Sequence, residues 1–172
     1  MALYYNQAKS IGTLKLNTPE EYVQNYVNEY YLMDMFYRRA LEAYHELVTL
    51  DIPIEAVINE AKRQLDQEYA KMANVMNLEW LTCVKEKGEA FRGVTLGRQQ
   101  HFYRTEGDGT VKQVVIVSDA LRYEVAVELM QQLAKEKHIA TLTPYLAMLP
   151  TETKYCKPSL LPHQSLELQG TD

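Results

Sequence analysis

The sequence predicts an α+β chain in which an N-terminal helical region, a long helical hairpin, is followed by a partial α/β unit of strand, helix and strand. Three observations predict it. Apolar residues spaced by three and four run from Val23 to Val48 and resume from Ile54 to Met76, as amphipathic helices require. Val114, Val115, Ile116 and Val117 are consecutive β-branched residues without polar alternation, which is how a parallel strand buried on both faces reads. An amphipathic stretch then separates that run from a second candidate strand within 140–149 (ATLTPYLAML).

Asn17-Thr18-Pro19-Glu20-Glu21 has the form of a helix start: Thr18 can cap, Pro19 suits the first turn, and the glutamates favour the positive end of the helix dipole. From there Val23, Tyr26, Tyr30, Met33, Tyr37, Leu41, Tyr44 and Val48 make one stripe, with Asn25, Asn28, Glu29, Arg38, Arg39 and Glu46 outside it. The tyrosines of this stripe are read as helix packing, a ring buried and a hydroxyl at the core edge, rather than as a ligand-stacking surface. Asp51-Ile52-Pro53 breaks the helix. Ile54, Val57, Ile58, Ala61, Leu65, Met72 and Met76 carry a second one, antiparallel to the first, and 78–84 around Trp80 extends or follows it. Gly88, Gly93 and Gly97 punctuate a looser connection, Arg98 to Arg104 (RQQHFYR) forms a short helical piece, and Gly107-Asp108-Gly109 is a turn and a boundary. The expected domains are an arm over 1–17, a helical region over 18–106 and an α/β part over 107–172.

In that last part the helix over about 121–137 puts Tyr123, Val127, Met130 and Leu133 on its buried side and Glu124, Glu128, Gln131 and Lys135 on its other side. A right-handed parallel crossover would join the two strands. Open α/β sheets bind ligands at the carboxyl ends of their strands, and Asp119 stands at such an end, where it could equally cap the helix that follows. Two strands and one helix make a poor sheet, so either the helical half covers an unusually small sheet or the chain is a piece of something larger.

Composition narrows the function. The chain has 172 residues, 47% of them hydrophobic, with a net charge of -5, enough for a core and without the basic face of a dedicated nucleic-acid module. Cys83 and Cys156 lie far apart with no CxxC pairing, which fits buried free thiols better than a disulfide framework or a zinc knuckle. The N-terminus lacks a signal-peptide core, and no window approaches the ~18 apolar residues of a membrane span; the expected location is the cytoplasm. SDALRYE has no glycine where a nucleotide-binding phosphate loop needs one.

The segment VVIVSDALRYEVAVEL, then LAMLPTETKYCKPSLLPH, resembles the opening of the PglZ domain found in phosphatase-like proteins of BREX phage-defence systems. SDALRYEVA is close to a family signature, the second block carries a Leu-Pro, a Thr and a Leu-Leu-Pro-His, and RQQHFYR resembles the region that precedes the domain. That domain is similar to the alkaline phosphatase superfamily, which holds divalent metals, usually zinc, beside a Ser or Thr nucleophile. The resemblance implies a metal-dependent phosphatase or phosphodiesterase, with Asp119 as a metal ligand and Thr153 as nucleophile and second oxygen ligand. A metal there would lower a hydroxyl pKa and polarise a phosphoryl oxygen, and a helix starting near Pro158 would favour the bound phosphate. Thr151 and Ser159 share the loop and are alternative nucleophiles; Arg122 would contact phosphate or pair with a Glu of its own helix; Lys154 and Lys157 would attract a phosphate or, as is commoner for loop lysines, stay at the surface. His163 stands at no recognisable zinc spacing, and His45, His101 and His138 read as surface residues. Tyr155-Cys156-Lys157-Pro158 departs from the small and apolar residues expected there. The superfamily's remaining ligands come from later strands, so the expectation is a fragment or truncated member that lacks part of the ligand set, or else an interaction or scaffold protein that keeps only the fold. The partners so implied are other BREX proteins or a second copy, since an unpaired strand edge favours association.

Overall fold

The computed structural model describes residues 16–50, 53, 55–87, 93–106, 112–149 and 151–167. Most of the expected arm, Asp51-Ile52 of the helix break, Gly88 and the Gly107-Asp108-Gly109 boundary lie outside them. The described residues fall into two compact units. One comprises those up to Val94 together with Tyr123–Glu128, the other Thr95–Arg122 with those from Leu129 onward.

The first unit starts where the sequence says it should. Thr18 is extended and caps α1 (Pro19–Asn25). Its hydroxyl accepts the Glu21 N–H at 3.2 Å, while the Glu21 carboxylate accepts the N–H groups of Asn17 and Thr18 at 2.7 and 3.3 Å, a reciprocal capping box. The helix then widens into a π-helical turn, Tyr26–Tyr30, before continuing as α2 (Tyr31–Val48). The Tyr123 hydroxyl donates to the Val27 carbonyl inside that turn at 3.2 Å.

α3 (Glu55–Lys87) is one uninterrupted helix, so 78–84 extends it. The hairpin is antiparallel, since side chains pair in opposite chain order: Tyr44 with Asn59, Tyr37 and Asp34 with Tyr69, and Tyr22 with Trp80. Tyr37 and Tyr69 stack with centroids 3.8 Å apart. The Tyr37 hydroxyl donates to Asp66 at 2.9 Å, and the hydroxyls of Tyr26 and Tyr69 donate to the two oxygens of Asp34 at 2.6 and 2.8 Å. The tyrosine stripe is thus a packing device: Tyr26 and Tyr37 place their hydroxyls on acids of the hairpin and Tyr44 on Asn59, while the buried Tyr30 hydroxyl has no hydrogen-bond partner among the described residues. The core contains Tyr22, Tyr30, Met33, Met35, Cys83 and Val127, while Val48, at the far end of the stripe, is exposed.

The third member of this core is the start of α5 (Tyr123–Lys135). Here the sequence expectation is corrected. Glu124, assigned to the outward side, is fully buried. Its carboxylate accepts from Arg38 Nε at 3.1 to 3.2 Å and from Arg38 Nη2 at 2.9 Å. One turn on, Glu128 accepts from Arg38 and Arg39 together. A permanently charged, planar guanidinium with several donors makes the burial of a carboxylate tolerable.

The second unit holds a small parallel ladder. β1 (Gly97–Arg98) pairs with β2 (Tyr145–Leu146), Gly97 opposite Tyr145 and Arg98 opposite Leu146. A Cβ on Gly97 would lie 2.7 Å from the Tyr145 ring, so only glycine fits under it. A 3₁₀ turn (Gln99–His101) leads into α4 (Phe102–Glu106), and Phe102 meets Tyr145 edge to face. Gln99 ties the unit together, donating to the Cys156 carbonyl and accepting from the Met148 N–H, both at 3.1 Å.

The expected strand at 114–117 is not formed among the described residues. The backbone over 112–118 has no ladder partner, and Val114 and Ile116 are 90% and 87% exposed. β-branched composition favours an extended backbone, but a strand exists only where a neighbour takes its N–H and C=O groups. The second strand is present as β2, and its partner is 97–98, a segment read as connection, so the parallel pair is not the crossover expected from 114–117. The observed architecture is α+β, mostly helical with a two-stranded parallel sheet. No helix among the described residues is long and apolar enough to cross a membrane.

Candidate functional site

The extended run 112–118 ends in a turn at Asp119 and Ala120. Ala120 has φ +53°, a left-handed conformation that costs an L-residue roughly 1–2 kcal/mol. Asp119 braces that turn by accepting the Ala120 N–H at 3.1 Å. Such strain persists only where surrounding contacts hold it, and it gathers at functional sites.

Thr153 reaches the turn from 34 residues away in sequence: its hydroxyl donates to Asp119 Oδ1 at 3.1 Å. It is the first residue of α6 (Thr153–Ser159), whose N-cap Glu152 accepts the N–H groups of Tyr155 and Cys156 through its carbonyl. The helix expected to begin near Pro158 therefore begins at Thr153, with Pro158 inside its last turn. Lys157, one turn beyond Thr153 on the same face, brings its ammonium to 3.4 Å from Asp119 Oδ2. The Thr153 hydroxyl, and after it the Lys157 charge, hold the Asp119 carboxyl below its usual range. At neutral pH Asp119 is an anion, suited to hold a cation and a weak acceptor for a proton. All three side chains stand open to solvent.

The other loop candidates are placed elsewhere. Ser159 is fully buried and donates to the Cys156 carbonyl at 2.6 Å. Lys154 pairs with Glu152 at 3.4 Å and lies over the Tyr155 ring. Thr151 is exposed just ahead of the helix. Arg122 is the extended N-cap residue of α5 and makes no side-chain capping bond. His163 Nδ1 lies 2.7 Å from the Leu161 carbonyl. Lys157 is the member of this cluster that the sequence undervalued, although its four-residue spacing from Thr153 was there to be read.

Asp119 and Thr153 together offer oxygen donors of the kind a divalent cation takes. Among the described residues, however, no three His, Cys, Asp or Glu side chains are grouped to hold a metal. A catalytic zinc takes three protein ligands, so the described donor set does not by itself make a complete metal centre.

Residues 99–172 match the family described as the BREX system PglZ alkaline phosphatase-like domain. The chain is 27% identical over 154 residues to the alkaline phosphatase-like protein PglZ of Bacillus cereus (strain H3081.97), an alignment covering 86% of this chain and 18% of that protein. It is 50% identical over 64 residues to the alkaline phosphatase-like protein BrxZ of Escherichia coli O9:H4 (strain HS), covering 36% of this chain and 7% of that protein. The first alignment is too long to fit within 99–172, so similarity extends into the helical half. The chain spans less than a fifth of the length of these curated relatives. No solved structure is significantly similar to it.

Proposed function

We propose that this chain carries one corner of a phosphatase-like centre of a BREX anti-phage system, in which Thr153 is the nucleophile toward a phosphate ester and Asp119 an oxygen ligand for a divalent cation, zinc being the first choice. The observation that carries it is the 3.1 Å hydrogen bond between Thr153 Oγ1 and Asp119 Oδ1, made by the two residues that the family resemblance singles out. In this reading the helical region is 18–106, the phosphatase-like part 107–172, and the protein works in the cytoplasm with other BREX proteins or a second copy.

The pair's own chemistry is limited. The Thr153 proton points at Asp119, leaving the oxygen lone pairs for an incoming phosphorus. Attack would form the Oγ–P bond and break the bond from phosphorus to the leaving oxygen, the hydroxyl proton passing through solvent to that oxygen, and water would then hydrolyse the phosphothreonine to phosphate and free Thr153. Lys157 is placed to offset charge on a phosphoryl oxygen, and Arg122, three residues after Asp119, is a further candidate contact. Asp119, held anionic, is a weak base for the Thr153 proton, so activation of the hydroxyl requires donors beyond those of the described residues.

The test is zinc and manganese binding together with hydrolysis of a generic phosphomonoester and phosphodiester. Metal-dependent turnover by the wild type, with the remaining donors supplied by a second copy, and its loss by at least a hundredfold in both Asp119→Ala and Thr153→Ala, is the expected outcome. A second reading, a catalytically inactive interaction or scaffold protein, is favoured by the lack of a three-member ligand group among the described residues. It predicts no metal uptake and no turnover, and that result would replace the first reading.

A further inference from the structure

Two segments that the Asp119 and Thr153 pair does not use, RQQHFYR and the stretch from the His of LLPH onward, meet in one place. Within the second unit they line an open cavity of about 210 Å³, with Gln100, His101 and Arg104 on one side and His163, Gln164 and Ser165 on the other. These residues come from chain positions some sixty apart and are brought together by the Gln99 bonds to Met148 and Cys156.

Its chemistry points one way. Among the described residues the lining holds no carboxylate. Arg104 supplies a permanent positive charge and a planar fork of donors. Gln164 and Ser165 add neutral N–H and O–H donors, while the Gln100 amide nitrogen lies 3.3 Å from His101 Nε2. The Nδ1 of His163 is engaged with the Leu161 carbonyl at 2.7 Å, which makes Nδ1 the donor there and fixes the ring's orientation. A fixed guanidinium repels a metal cation, so paired histidines in this wall do not make a zinc site. The volume is below the roughly 300–1,000 Å³ of pockets for drug-sized ligands, which suits a single tetrahedral oxyanion and excludes a whole nucleotide.

We infer that this cavity is an oxyanion-binding subsite, separate from Thr153, that takes the phosphate group of free inorganic phosphate or of a phosphate monoester. It would hold a non-reacting phosphoryl group through charge-assisted hydrogen bonds from Arg104, supported by Gln164 and Ser165. The inference stands on the cavity alone and does not need the chain to hydrolyse anything.

The experiment is a titration of the full chain with inorganic phosphate, and separately with glycerol phosphate, following the ring resonances of His101 and His163. Saturable shifts of both rings are expected. Arg104→Ala should weaken the apparent affinity about tenfold and Arg104→Lys less, as loss of a bidentate charged contact does. Ser165→Ala tests the opposite wall and should also weaken binding. Thr153→Ala should leave the affinity unchanged. Saturation by both ligands assigns the subsite to phosphate groups generally; saturation by inorganic phosphate alone assigns it to the free ion. The absence of saturable shifts with either ligand, or affinity that is unchanged in Arg104→Ala, would overturn the inference. So would shifts abolished by Thr153→Ala, since the anion would then sit at Thr153, an outcome that also distinguishes this proposal from the catalytic one.

Discussion

Lys137 and Ala120 both carry a positive φ that L-residues avoid, +65° and +53°, and they do so for different reasons. Lys137 closes α5: its N–H bonds the Ala134 carbonyl at 3.1 Å and the His138 N–H bonds the Leu133 carbonyl at 3.0 Å. Those two bonds are a Schellman motif with lysine where glycine is usual. Ala120 instead shapes the turn that presents Asp119. Relief of roughly 1–2 kcal/mol of left-handed strain, less up to about 1 kcal/mol for the extra freedom of an unfolded glycine, gives an expected gain of about 0.5–1 kcal/mol for each of Lys137→Gly and Ala120→Gly. Thermal melts should show midpoints higher by about 1–4 °C. A midpoint that falls in Ala120→Gly would mean that the alanine methyl makes contacts worth more than the strain.

At the scale of elements, the contact between α2 and the start of α5 is an ion network around a buried carboxylate. Arg38→Ala would leave Glu124 buried without its partner and should cost about 3 kcal/mol, whereas Arg38→Met with Glu124→Leu should recover most of that loss. Denaturant unfolding of the three proteins checks this; a double variant no better than the single one would show that the pair contributes net stability rather than only satisfying itself. The same region shows what the sequence could and could not tell. The hairpin, the Thr18 cap and the amphipathic α5 were legible because each is written in local spacing. Burial of Glu124 was not, because it depends on an arginine 86 residues away. The strand at 114–117 read clearly from four β-branched residues, yet a ladder requires neighbours that no local pattern supplies. Gly97-Arg98 gave no strand signal at all and pairs only because Tyr145 and Leu146 lie beside it. Asp119 was singled out from its place after an apolar run, but its meeting with Thr153 came from family resemblance, not from spacing. Lys157 joins them through helix geometry that became readable once the helix was known to start at Thr153.

For the molecule as a whole, acid should be the first stress to tell. Glu128 is held below its ordinary value by Arg39 and Arg38, and Asp66 by Lys62 and Tyr37. Both are partly exposed, so each contributes modestly. Carboxylates with lowered folded pKa values add stability that is complete above their unfolded values, near pH 4 to about 4.5, and is lost as pH falls through the folded ones. Thermal midpoints should therefore be level from neutrality to about pH 5 and decline below it, with a shallower decline in Glu128→Gln. An equal decline in that variant would place the acid sensitivity elsewhere. The π-helical turn has a consequence for the whole hairpin. An α-helix advances by about 100° per residue, and a turn that takes in one extra residue sets everything after it back by that angle. Tyr26–Tyr30 therefore works as a phase adjuster for Tyr31–Val48: winding, and not composition, decides that Arg38 and Arg39 come round to Glu124 and Glu128. Loss of the extra residue would let the turn close as ordinary α-helix with Arg38 and Arg39 still facing α5, whereas winding all five residues as α-helix would turn both arginines away by about 100°.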